Sequence, residues 1–173
     1  MNKVKFSHES IFASILFLAI EILFTQVVYA QRPIFLLDNQ CINTGPGNWR
    51  RESKDVSVGR EIYTSLMTMS SWGPNDSASM TCKIQASSSA TLALKFGMRD
   101  NDIGSSPSIV DVYVDGNHKG RQTVSPGKVS FLPVDVSNGK SLAVETTCSR
   151  ASNCNTVYFF QAEVTGAVSP GAR

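Results

Sequence analysis

The second half of the chain alternates apolar and polar residues in short runs, which is the pattern of half-buried β-strands. Residues Ile109 to Val114 alternate in this way, and Asp115-Gly116-Asn117 supplies the residues of a tight hairpin turn. Antiparallel strands joined by short turns predict an all-β sandwich, whose loops, rather than a deep pocket, are expected to hold a ligand. The runs that continue the pattern are Ser130 to Val136, Ser141 to Thr146 and Val157 to Val164.

The first half of the chain predicts further strands with longer interruptions. Apolar residues from Ile34 to Leu37 indicate a first strand, whereas Asn39 to Asp55 is rich in turn residues and charges and indicates a surface loop. Gly59-Arg60 predicts a tight turn between two short strands. The remaining expected elements are strands at Ser65 to Met69, Ala78 to Ile84 and Ala90 to Met98, a loop at Ser71 to Ser77, and a turn at Ser87 to Ser89.

The first thirty residues have the pattern of a secretory signal peptide. Lys3 and Lys5 precede an apolar run from Ile11 to Ile20, and Ala30 is a residue that signal peptidase accepts. An uncleaved anchor is the alternative, but Glu21 would cost about 2–3 kcal/mol inside a membrane. We expect a signal peptide at 1–30, a secreted β-sandwich at 31–167, a disordered tail at 168–173, and no stable membrane anchor after cleavage.

The charge balance argues against two classes of partner. The chain has 16 basic and 14 acidic residues and a formal net charge of +2. Nucleic-acid-binding proteins and proteins that bind anionic membranes usually carry a clear excess of basic residues. We therefore expect neither nucleic acid nor an anionic membrane surface as the partner.

All four cysteines lie after residue 30, and an even number in an exported chain predicts disulfides. Cys148 closes one strand run and Cys154 opens the next, so a bond between them would staple one hairpin. Cys41 would then pair with Cys82. A metal site is the alternative, but the cysteine spacing that metal sites use does not occur in the sequence.

Catalysis by histidine has little support in this sequence. After residue 30 the only histidine is His118, which lies in the hairpin sequence Asp115 to Lys119. We expect His118 to be a solvent-exposed residue of the turn, and no catalytic triad can be assembled around it. We therefore expect a protein that is not an enzyme.

The segment Arg99-Asp100-Asn101-Asp102 follows a predicted strand and combines a cation with two carboxylates. Asp100 and Asp102 could coordinate calcium, or Asp100 could accept hydrogen bonds from sugar hydroxyls while Arg99 donates. The alternative is that the acidic side chains cap a turn.

Aromatic residues divide into predicted loop and strand positions. Trp49 and Trp72 fall in predicted loops, where an indole could stack on the apolar face of a sugar ring. The alternative is that each tryptophan pins its loop to the sandwich. The aromatic residues at strand spacing are expected to pack inside: Phe96, Tyr113, Phe131, Phe159 and Phe160.

Four segments, in this order, resemble one family: Val58 to Met69, Leu94 to Asp100, Val112 to Gly116 and Pro133 to Leu142. Together they make the chain similar to NPCBM, the novel putative carbohydrate-binding module family. The resemblance implies a galactose-binding-like jelly roll, noncatalytic carbohydrate binding and, in some members, a structural calcium. In the last strand, where the family carries a characteristic cluster, Tyr158 is the candidate ligand contact here.

These patterns predict a secreted, noncatalytic carbohydrate-binding module whose partner is a carbohydrate or a cell-surface glycan. The alternative is a secreted structural or adhesive β-sandwich that binds protein without binding sugar.

Overall fold

The structure, a computed structural model, describes residues 32–71, 76–150 and 154–167. The predicted signal peptide, the predicted tail and Trp72 lie outside these residues. Within them, no helix is long and apolar enough to cross a membrane. The described strands are β1 (Ile34–Phe35), β2 (Cys41–Asn43), β3 (Asn48–Val58), β4 (Glu61–Ser70), β5 (Ala78–Lys83), β6 (Ala86–Gly97), β7 (Ser108–Val114), β8 (Asn117–Val124), β9 (Val129–Asp135), β10 (Ser141–Cys148) and β11 (Val157–Ala167).

The strands form two antiparallel sheets. The first sheet has the order β3-β4-β11-β6-β9, with β1 paired to β11, and the second has the order β2-β5-β10-β7-β8. From β4 onward the chain passes repeatedly from one sheet to the other, so most neighbours in a sheet are distant in sequence. This arrangement is a jelly-roll sandwich, as the sequence predicts.

The core lies between the two sheets and follows the strand alternation. Phe96 of β6 and Phe159 of β11 have no solvent exposure, and their ring centroids are 5.3 Å apart. Val112 and Leu142 face them from the second sheet and are also buried. Because side chains alternate between the faces of a strand, the residues between these core positions point outward.

Two turns form as the sequence predicts. Asp115 and Gly116 join β7 to β8 with φ values of 49° and 79°, and Gly59 and Arg60 join β3 to β4 with φ values of 65° and 70°. Two successive positive φ values are what a two-residue type I′ hairpin requires.

The prediction of a surface loop from Asn39 to Asp55 is wrong. The structure places β2 and most of β3 in this region, and β3 pairs with β4 along its length. Arg50 to Asp55 are nearly all exposed because β3 is an edge strand. Charged residues are common on edge strands, where they discourage pairing with another chain. This part of β3 therefore lacks the alternation of apolar and polar residues by which a strand is recognised in the sequence.

Four smaller predictions also need correction. Ser87 to Ser89 lie within β6 rather than in a turn, and the first strand ends at Phe35, followed by a single 3₁₀ turn at Leu36–Asp38. Phe131 does not pack inside: it lies on edge strand β9 and is 55% exposed. Tyr113 does not pack inside either: it points outward from β7, between the core residues Val112 and Val114, and is half-buried.

Both disulfides have the expected pairing. Cys41 and Cys82 are opposite each other on β2 and β5, and their bond ties the short edge strand to its neighbour. Cys148 at the end of β10 bonds Cys154, shortly before β11. The second bond therefore closes the connection between two strands of different sheets, and the expectation that it staples a hairpin is wrong.

Candidate functional site

A shallow polar depression of about 240 Å³ lies on the outer face of the first sheet. Alternate residues of β3 line it, and Trp49, which lies between two of them, packs against the core instead. The full lining is Asn48, Arg50 and Glu52 from β3, Thr68 and Ser70 from β4, Thr156 just before β11, and Tyr158 in β11.

Hydroxyl groups form much of the lining. The Ser70 and Thr156 hydroxyls are hydrogen-bonded at 2.8 Å, which joins β4 to the segment before β11. Tyr158 lies opposite Thr68 and is only 5% exposed, because its ring packs against Val56 and Val58. Burial raises the pKa of Tyr158, so its phenol stays protonated at neutral pH and can both donate and accept.

Arg99 lies next to this depression and contacts Tyr158. Its guanidinium carbon is 5.4 Å from the centroid of the tyrosine ring, a cation–π distance. Asp102, which is buried, fixes the guanidinium: Arg99 Nη2 donates to Asp102 Oδ1 at 2.9 Å. This hydrogen bond raises the pKa of Arg99. The structure thus brings Arg99 and Tyr158 together, with Asp102 as the residue that positions the arginine.

Asp100 serves a different part of the molecule. Its carboxylate accepts hydrogen bonds from the Ser57 hydroxyl at 2.5 Å and from the backbone N–H groups of Gly59 and Arg60 at 2.7 and 3.0 Å. These bonds, that from Ser57 first, lower the pKa of Asp100. Asp100 therefore clasps the β3–β4 turn.

The same contacts bear on the predicted calcium site. The Asp100 carboxylate is hydrogen-bonded to the turn, and the Asp102 carboxylate is paired with Arg99. Among the described residues there is no group of three or more histidine, cysteine, aspartate or glutamate side chains that could hold a metal ion. The contacts fit turn capping better than calcium, and calcium binding stays a prediction.

Replacing Asp100 with asparagine tests this clasp. The pKa of Asp100 is below its value in an unfolded chain, so its ionised form stabilises the fold above about pH 4 and this contribution is lost as the pH falls further. Asp100→Asn should lower the melting temperature at pH 7, and the difference from the unmodified protein should shrink toward pH 2. Asp38→Asn, which breaks only an exposed ion pair with Arg51, should change little at either pH. An equal effect of Asp100→Asn at both values of pH would contradict the clasp.

The tryptophan predictions have different outcomes. Trp49 is in β3 rather than in a loop, and its ring is partly buried against the core on the face opposite the depression. Trp49 therefore does not face the depression, and its contacts fit the alternative, that this indole secures its segment; a ligand contact by Trp49 stays a prediction. Trp72 lies outside the described residues, and its ligand contact stays a prediction.

Sequence reasoning missed most residues of the depression. Asn48, Arg50 and Glu52 occupy alternate positions, and this polar spacing was the available signal. It becomes visible only when the segment is recognised as an edge strand. Thr68, Ser70 and Thr156 carried no signal, because hydroxyl residues are common on every exposed strand face.

No protein-family model and no curated protein matches this sequence. Solved structures do share the fold. The CBM51-2 domain of Clostridium perfringens ZmpB, solved with an INT domain and also in complex with GlcNAc, matches with a TM-score of 0.63 at 16% identity, over 80% of this chain and 32% of that one. This chain thus spans about a third of that structure.

Two further structures have similar scores. CBM51 from Clostridium perfringens GH95, in complex with methyl-galactose, matches with a TM-score of 0.60 at 10% identity, over 78% of this chain and all of that one. The K1 cleaved adhesin domain of Lys-gingipain from Porphyromonas gingivalis matches with a TM-score of 0.54 at 12% identity, over 79% and 94% of the two chains. At these identities the likeness establishes the fold alone: the described residues form a jelly-roll β-sandwich, as these domains do.

Proposed function

We propose that this domain binds carbohydrate at the depression on the outer face of its first sheet, without cleaving it. The observation that carries the proposal is the lining itself: a guanidinium, a carboxylate, an amide, hydroxyls and a buried phenol share one small concave surface. Two neighbours of the same fold were solved with sugars, GlcNAc and methyl-galactose, which supports this class of ligand.

The chemistry of the lining suits a sugar ring. Each sugar hydroxyl both donates and accepts, so a site with Arg50 as donor and Glu52 as acceptor can bind neighbouring hydroxyls of one ring. Asn48 supplies both functions through its amide. A volume of about 240 Å³ is below the ~300–1,000 Å³ of pockets for drug-sized ligands, so one ring rather than a long oligosaccharide is expected inside.

Arg50→Ala and Glu52→Gln test this assignment. Each should weaken glycan binding roughly tenfold to a hundredfold, because a hydrogen bond to a charged group contributes about 1.5–3 kcal/mol. Lys54→Ala is the matched control, since Lys54 is an exposed residue of the same strand that does not line the depression. Binding to a glycan array, followed by calorimetric titration of the best ligand, supplies the measurement. Unchanged affinity in both site variants would contradict the proposed site.

Export of the protein belongs to the same proposal. The two disulfides are typical of proteins that fold in an oxidising compartment. The apolar run at Ile11 to Ile20 supplies the expected signal peptide. Mass analysis of the exported protein should give a mature chain that starts near Gln31.

Protein binding is the second candidate function. It is favoured by the likeness to an adhesin domain and by exposed apolar residues such as Phe131 and Ile62. An adhesive role predicts that the folded protein binds no glycan on the array but binds another protein through these residues.

A further inference from the structure

The outer face of the second sheet carries a cluster of polar and aromatic side chains that the proposed site does not use. Asp111 and Tyr113 point outward from β7, between the core residues Val110, Val112 and Val114. Arg121 and His118 face them from β8. This face is on the opposite side of the sandwich from the depression.

Asp111 is the organising residue of this cluster. Its side chain is only 4% exposed although it lies on an outer face, and it accepts hydrogen bonds from Arg121 Nε at 2.7 Å, Arg121 Nη2 at 3.1 Å and His118 Nε2 at 2.7 Å. Burial acts to raise the pKa of Asp111, but the bonds from Arg121 and His118 outweigh it and the net pKa is lowered. The carboxylate is therefore ionised and fixes both partners.

A buried ion pair is weak support for stability, because desolvation offsets the attraction between the charges. What this pair does achieve is orientation. Arg121 and His118 remain 61% and 46% exposed, so their remaining polar atoms are held in fixed positions that a ligand can reach. The Arg121 guanidinium, in particular, presents the N–H groups that Asp111 does not use.

The neighbouring positions complete a flat surface. Tyr113 is half-buried, packs edge-on against His118 at 5.3 Å, and lies beside the small residue Ala143 of β10. In the adjacent row of the same face, Asp111 lies between Glu145 of β10 and Arg121 of β8, so this row carries both an acceptor and a donor. An aromatic ring next to a row that carries a donor and an acceptor suits a sugar ring, whose apolar face stacks on the aromatic ring while its hydroxyls bond to the neighbouring polar groups.

We propose that this face, defined by Tyr113, Ala143, Arg121, His118 and Glu145, is a second carbohydrate-binding surface that acts independently of the first. Glu145 and Asp111 offset the charge of Arg121, so the expected ligand is a neutral sugar unit rather than an acidic one. The inference extends the proposed function to a second site but depends on different residues, so each can fail alone.

The test is a glycan array probed with the full-length exported protein and its variants. With the first site removed by Arg50→Ala and Glu52→Gln, the protein should keep binding to a subset of the neutral glycans. Adding Ala143→Glu, which blocks the second face without removing the Asp111 cluster, should reduce that residual signal at least about tenfold. Arg121→Lys, which keeps the charge but loses the fork geometry, should weaken it in the same direction.

Lys119→Ala is the matched control, because this lysine of β8 interacts with Asp135 rather than with Asp111. It should leave the residual signal unchanged, and melting temperatures should show that all variants are folded. If the protein without the first site binds no glycan, or if Ala143→Glu leaves its binding intact, the second surface is overturned. If Ala143→Glu alone abolishes all glycan binding, the second surface is the binding site and the proposed first site is wrong.

Discussion

Replacing Phe159 with alanine is expected to lower the free energy of unfolding by about 4 kcal/mol, the usual range for a buried phenylalanine being ~3–5 kcal/mol. Phe159 has no solvent exposure, pairs with Met67 on one side and Phe96 on the other, and packs against the Phe96 ring. Two rigid sheets cannot collapse into the space that the ring leaves, so the lost contacts and the cavity both contribute. Denaturant unfolding of the purified protein measures the change.

Phe131→Ala is the control for this substitution, since it removes the same side chain from the same sheet. Phe131 is 55% exposed at the edge, so its loss should cost less than about 1 kcal/mol. The two residues look alike in sequence, and the structure alone separates them. Equal destabilisation by the two substitutions would contradict the assignment of the core.

Removal of the Cys41–Cys82 disulfide should give the second large effect, a loss of about 4 kcal/mol of unfolding free energy. The bond joins residues 41 positions apart, and in the chain-entropy view a cross-link stabilises by restricting the unfolded chain. The pair Cys41→Ser and Cys82→Ser removes it without leaving a free thiol, and denaturant unfolding measures the loss.

The Cys148–Cys154 bond supplies the internal comparison for that experiment. It spans only 6 positions, so its removal should cost about 2 kcal/mol, roughly half as much. The order of the two effects is the decisive result. A larger loss from the short loop than from the long one would show that native contacts, rather than loop length, set the contribution of each bond.

Local sequence predicted those parts of the fold that depend on a few adjacent residues. Asp115-Gly116 and Gly59-Arg60 adopt the positive φ values of a hairpin, because glycine and its neighbours set this geometry themselves. Edge strand β3 could not be predicted in this way. Its exposed residues Arg50 to Asp55 have no core to pack against, and its strand conformation depends on pairing with β4.

The candidate site shows the same division between local and long-range information. Arg99 and Asp102 are three positions apart, and their pairing is a local property. The contact between Arg99 and Tyr158 joins residues far apart in sequence, and the depression combines three strands. The sequence predicts that Trp49 lies in a loop, because its sequence neighbours are typical loop residues. Its indole instead packs against the core, which could not be predicted without knowing the partner strand.

Amide chemical-shift mapping during titration with methyl-galactose and GlcNAc tests whether the outer face of the first sheet binds sugar. At least one of these sugars should shift the amide signals of Asn48 to Glu52, Thr68 to Ser70, and Thr156 to Tyr158 in a saturable way. Shifts absent from these three segments at saturating concentrations of both sugars would contradict it.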